Sequence, residues 1–132
     1  GLILYGFAVD DAHHFKNWGQ EFSNPGQGWI MVWADGLSRR QIRTAIEEGR
    51  FYSSTGVSLK DVRQTEGALT VEIDPQGDTK YTTYYIGHAG RILAKETSLR
   101  CSYKLKKRDR YVRARVISSR GNYAWTQPLF EP

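Results

Sequence analysis

The chain has 132 residues, 39% of them hydrophobic and 25% charged, with a formal net charge of +5. That length suits one domain, or a small domain with an appendage, and the composition excludes a disordered chain. No apolar run approaches the roughly 18 to 20 residues that span a bilayer, so no membrane partner is expected.

The first element is the nearly continuous apolar stretch Leu2–Val9. Such a run predicts a strand buried on both faces, as in a parallel sheet. A strand of that kind needs neighbours and covering helices, and nothing here precedes it. The expectation is therefore a C-terminal piece of a larger protein, whose residues 2–9 fold back on the domain or join a second copy as a homo-oligomer. Asp10-Asp-Ala-His-His14 follows, then a loop rich in Asn, Pro and Gly up to Gly28. Trp29–Ala34 reads as a second strand. Ser38 fits a helix N-cap with Gln41 three residues on, a capping box, and Leu37 and Ile42 occupy the staple positions around it. Ile42, Ala45 and Ile46 share one face. Gly49 supplies the terminating left-handed residue, which predicts a helix over Arg39–Glu48.

From Val57 the period changes to two. Leu69, Val71 and Ile73 alternate with polar partners, and Asp74–Asp78 is a turn. Tyr81–Ile86, Arg91–Glu96, Leu99–Leu105, Tyr111–Ser118 and Tyr123–Phe130 read as further strands, with reversals at His88–Gly90 and Arg120–Asn122. Strands so regularly spaced, with no helix between them, predict an antiparallel sandwich. The chain thus reads as mainly β: residues 1–56 form a β-loop-β-α segment of α/β character, and residues 57–132 form an antiparallel β-sandwich.

Several residues carry plain structural readings. Cys101 permits no internal disulfide and reads as a small strand residue. The basic run Lys104, Lys106, Lys107, Arg108 and Arg110 reads as a solvated hairpin tip. No nucleic-acid motif accompanies it, so no nucleic-acid partner is expected. His88 reads as a surface turn residue. Gly26-Gln-Gly28 is too short for a phosphate cradle, and Ser53, Ser54 and Thr55 lack a base. Tyr81, Tyr84, Tyr85, Tyr103, Tyr111, Tyr123 and Trp125 read as core or cross-strand pairs in preference to a sugar-stacking platform.

Asp11 and His13 are the candidates for chemistry. They lie two residues apart beyond the apolar stretch, where an extended chain would project both to one side. A carboxylate and an imidazole so placed suit a divalent cation, although two ligands fall short of a closed site. Arg50, after the helix, is a candidate for a bidentate substrate-phosphate contact, against the plainer reading of a solvated helix C-terminal cation.

Tyr5-Gly-Phe-Ala-Val-Asp-Asp-Ala-His13, then Gly28–Ala34, Leu37-Ser38, Ile42, Ala45-Ile46 and Gly49–Gly56, resemble the end of the polymerase and histidinol phosphatase (PHP) domain. The likeness covers roughly residues 5 to 56. Tyr111–Val116 and Gly121–Pro128 are similar to a β-domain that follows some members. The resemblance implies that residues 1–56 are the remnant of an α/β barrel hydrolysing phosphoesters, with Asp11 and His13 as ligands of zinc, manganese or iron. The family's opening His-x-His, its central acid and its other His ligands have no counterpart here. No catalytic residue is therefore assigned, and the chain alone is expected to be inactive without the missing N-terminal barrel portion. The alternative is a β-sandwich binding module for carbohydrate or a protein partner.

Overall fold

Alternation of apolar and polar residues decides which way each strand of the C-terminal half turns its side chains. In the computed structural model, which describes residues 3–130, that alternation builds two antiparallel sheets packed face to face. The strands are β1 (Trp29–Val32), β2 (Phe51–Ser54), β3 (Leu59–Thr65), β4 (Ala68–Ile73), β5 (Tyr81–Ile86), β6 (Ile92–Glu96), β7 (Arg100–Lys104), β8 (Tyr111–Ser118), β9 (Tyr123–Thr126) and β10 (Leu129–Phe130). The larger sheet runs β1-β2-β9-β8-β5-β6, with β10 also on β8, and the smaller runs β3-β4-β7.

The core lies between the sheets. Leu69, Val71 and Ile73 of β4 meet Val112, Ala114 and Val116 of β8, with Tyr52, Tyr85 and Ala124 completing the layer. The Tyr85 hydroxyl donates to Cys101 Sγ at 3.3 Å, which gives the lone thiol a buried structural place. Tyr85 and Tyr103 stack with centroids 5.5 Å apart, so part of the tyrosine set is core, as its strand pattern implies. The turn before β8 carries the basic run. Asp109 is buried beneath it and accepts from Tyr103 Oη at 2.8 Å, Lys106 N at 3.0 Å and Arg91 Nη2 at 3.2 Å. That carboxylate ties down a tip whose Lys106, Lys107, Arg108 and Arg110 side chains stay in solvent.

The helix α1 (Arg39–Glu47) begins as its cap predicts, with the Gln41 amide donating to Ser38 Oγ at 3.2 Å and Ser38 N donating to Gln41 Oε1 at 3.4 Å. At its end Gly49 N donates to Ile46 O and Arg50 N to Ala45 O, the paired bonds of a Schellman stop, with Gly49 at φ 72°. The staple does not close: Leu37 is 95% exposed, because no apolar surface among the described residues reaches it. The capping box alone sets how the chain enters the helix.

The expected strand over residues 2–9 does not form. Leu2 lies outside the described residues, and residues 3–9 adopt no regular structure. The segment cannot pair with β2, whose edges are taken by β1 and β9, and it does not add to the outer edge of β1. The apolar stretch instead lies on the outer face of the larger sheet, where the Tyr5 and Phe7 rings pack on Phe51 with centroids 6.0 and 4.7 Å away. Its polar backbone groups are met by side chains: Gly6 exchanges two 3.0 Å hydrogen bonds with the Gln127 amide. Ser53 Oγ donates to Gly6 O at 2.9 Å and accepts from Ala8 N at 3.0 Å. Because β2 pairs with β9, the larger sheet is continuous across the position near residue 56 where the sequence pattern changes.

Candidate metal-ligand pair and an outer-face groove

The segment between residues 10 and 28 is a loop held by two buttoning side chains. Asp10 accepts backbone N–H groups from Gly26 at 2.9 Å and from Gln27 and Gly28 at 2.6 Å. The Gly26 N–H, then the Gly28 N–H, hold the Asp10 carboxyl below its ordinary range. Gly26, at φ 91°, supplies the backbone turn that aims these amides together. The Gly26–Gly28 amides therefore do cradle an anion, and it is the chain's own carboxylate. Asn24 is the second button. Its Nδ2 donates to His14 O and Asn17 O, both at 2.9 Å, and its Oδ1 accepts from Gly19 N at 3.1 Å.

His14 is committed to this loop: Nδ1 accepts from Ser23 N at 3.2 Å and the ring leans on Phe22. Asp11 and His13 are committed to nothing of the kind. Asp11 Oδ1 lies 3.9 Å from His13 Nε2, with the two side chains 90% and 64% exposed. The chain is not extended there, since Asp11 has φ 51°. The left-handed turn, in place of strand alternation, brings the two together, and Asp tolerates that backbone better than most residues. Two ligand atoms about 2.1 Å from a tetrahedral cation sit about 3.4 Å apart, somewhat closer than the 3.9 Å of this pair. The donor set, one carboxylate and one imidazole, suits zinc, manganese or iron. Among the described residues, no group of three or more His, Cys, Asp or Glu side chains comes together that could hold a metal ion.

Arg50 sits away from this pair in its contacts. Its Nη1 lies 3.4 Å from Asp35 Oδ1, and its Nε lies 2.8 Å from Glu48 Oε2. The Nε contact is ionic, because the N–H does not point at the carboxylate. Arg50 lines a small cleft of about 240 Å³ with Trp33, Phe51, Asp61 and Gln127. Two carboxylates beside the guanidinium make a structural ion cluster, so a phosphate would have to displace them.

Ser53, Ser54 and Thr55 have structural work. Ser53 holds the N-terminal stretch, Ser54 Oγ donates to Val57 O at 2.7 Å, and Thr55 Oγ1 accepts from Tyr123 N at 2.9 Å. On the outer face of the larger sheet, beside Ser53, lies a concavity. A groove of about 840 Å³ separates residues 4–9 from Tyr111, Arg113, Trp125, Pro128 and Phe130. Trp125 stacks in parallel on Tyr123, with centroids 5.3 Å apart and planes 8° from coplanar. Compared with known proteins, the chain matches no family model, no curated protein and no solved structure at a significant level.

Sequence reasoning did not single out Asn24, Gln127 or Arg113. A lone Asn in a Gly- and Pro-rich loop carries no spacing signal, and Gln127 reads as an ordinary strand residue. Arg113 had one legible sign: it shares the β8 parity of Tyr111 and Arg115, opposite to buried Val112 and Ala114.

Proposed function

We propose that this chain is the C-terminal part of a PHP-type metal-dependent phosphoesterase, in which Asp11 and His13 supply two ligands to a divalent-metal cluster. The observation that carries the reading is the convergence of Asp11 Oδ1 and His13 Nε2 in solvent, 3.9 Å apart, while neighbouring Asp10 and His14 are tied into the loop. A loop that fixes its flanking residues and leaves one carboxylate and one imidazole unfastened is built to present them. Two further features support a larger assembly around residues 3–37. Nine of the twelve large apolar side chains exposed among the described residues lie between Ile3 and Leu37, so the uncovered apolar surface is concentrated where a barrel would pack. β1 ends the sheet order with no outer neighbour among the described residues, and its Trp29 and Met31 are exposed.

Divalent metal supplies Lewis acidity toward phosphoryl oxygens in such a cluster. The residues here would hold and orient it: Asp10 fixes the loop, Asp11 offers oxygen and His13 offers Nε2. With two ligands only, the chain binds metal weakly and turns over no substrate. The test is a zinc titration followed by imidazole resonances, with a chromogenic phosphoester assay in zinc or manganese alongside. Weak binding that perturbs His13 and vanishes in the Asp11→Ala, His13→Ala double variant is expected. Perturbation centred on His14 or His88 would overturn the ligand assignment, and metal-dependent turnover above the double variant would overturn the fragment reading.

A further inference from the structure

We propose that the groove between residues 4–9 and strands β8 to β10 binds a small, flat, apolar carboxylate, with Arg113 taking the carboxylate and Trp125 the ring. The proposal concerns this chain by itself and does not use the Asp11–His13 pair, although Leu4, Phe7 and Val9 belong both to the groove and to the apolar surface assigned above to a barrel. The volume of about 840 Å³ falls in the range of sites that enclose small organic ligands, and such sites are mostly apolar with a few polar groups. Phe7, Tyr111, Trp125 and Phe130 supply aromatic walls. Among the described residues that line it, Arg113 alone carries a charge, and no carboxylate lines the groove.

Arg113 enters none of the ion pairs formed among the described residues. Arg50, Arg91, Arg100 and Arg120 each have a carboxylate partner, whereas Arg113 shares its freedom from ion pairs among the described residues with Arg115 and others, and it alone of these lines the groove. A guanidinium with no ion-pair partner among the described residues, in an aromatic-lined groove, favours an anion, and its planar fork matches a carboxylate in a bidentate contact. Several polar groups beside it are engaged: Gln127 and Ser53 hold Gly6, and the Gly28 amide holds Asp10, while the Gln27 side chain and the Tyr5 and Tyr111 hydroxyls also line the groove. Arg113 is thus the single group positioned to select charge, and Trp125, braced by Tyr123, is the rigid surface positioned to select a ring.

Calorimetry with 2-naphthoate and its neutral isostere 2-naphthamide tests the proposal on the intact chain. The acid should bind about tenfold tighter than the amide, the increment of a charge-assisted hydrogen bond. Arg113→Gln should abolish that preference, and Trp125→Ala should weaken both probes alike. In parallel, 2-naphthoate should shift the Trp125 indole resonance and leave Trp18 in place. Absence of binding, equal affinity of the unaltered chain for the two probes, or a shift centred on Trp18 or Trp29 would overturn the proposal. If Arg113→Gln fails to fold, the probe pair and the indole shifts on the unaltered chain decide alone.

Discussion

Residues 57–130 and residues 3–28 bury their backbones by opposite means. In the sandwich, strand pairs such as β3–β4 and β5–β8 satisfy one another's amides in register, and the alternating side chains fill the space between sheets. The N-terminal stretch joins no strand; a few local backbone bonds such as His13 N to Ser23 O hold its loop, and Asp10, Asn24, Ser53 and Gln127 satisfy other backbone groups one side chain at a time. Ladder bonds form cooperatively and survive the loss of one side chain, whereas a stretch held by isolated side chains depends on each of them. Exposed Leu4, Phe15 and Trp18 against fully buried Leu69 and Val71 show the same contrast in packing. Local opening is therefore expected first in the N-terminal region, well below the global unfolding free energy.

The widest separation between the regions should come from their leucines. Leu69→Ala should cost about 2–5 kcal/mol in urea denaturation, because it empties a site closed to solvent. A cost below about 1 kcal/mol would mean that the sandwich core is as loosely packed as the N-terminal stretch, and the contrast would fail.

Next in size is Asp109→Ala, expected to cost about 1–3 kcal/mol by leaving Tyr103 Oη and the Lys106 amide without their acceptor. Burial alone pushes the Asp109 carboxyl up. The Tyr103 hydroxyl, the Lys106 amide and the Arg91 and Arg108 guanidiniums together outweigh it, and the group titrates below its ordinary 3.8. A carboxyl depressed in the folded state contributes stability that is fully present above the unfolded value near 3.8. That contribution is lost as pH falls through the lower folded value. The variant should therefore flatten the acid end of the stability–pH curve below pH 3.8 and leave its shape near neutrality unchanged. An unaltered acid limb would contradict the network.

A smaller effect sharpens the comparison from the other side. Gln127→Ala removes both bonds to Gly6 and should cost about 1 kcal/mol globally. Its main signature is faster proteolysis within residues 3–9, with the sandwich amides still protected from hydrogen exchange. Loss of protection in β8 and β9 as well would show that the two regions unfold as one unit. The smallest effect is expected at Leu37→Ala, within about 0.5 kcal/mol, because its side chain stands in solvent. A larger loss would mean that the staple to Ile42 closes in solution.

Much of the strand order was legible because alternation is a local property. Leu69, Val71 and Ile73 announce their buried face, and Ser38 with Gln41 announces the start of α1, from residues within a few positions of one another. The fate of Leu2–Val9 was not legible. An apolar run states that it will be buried and does not state against what. This one lies across the outer face, held to Gln127 beyond β9, a partner more than a hundred residues away.

The site divides in the same way. That Asp11 and His13 are close in sequence and of ligand chemistry is written in the chain. That they meet at 3.9 Å follows from the left-handed turn at Asp11 and from the loop that Asp10 and Asn24 close around it. Periodicity and neighbouring residues made most strands after Val57, the antiparallel β class, the helix cap and the identity of the candidate ligand pair legible, whereas β2, buried at every position without alternation, carried no such signal. Only the tertiary structure decided that the N-terminal stretch lies on a sheet face and that Arg113 and Trp125 share a groove. Those outcomes depend on which distant backbone edges are already taken, and no local pattern records that.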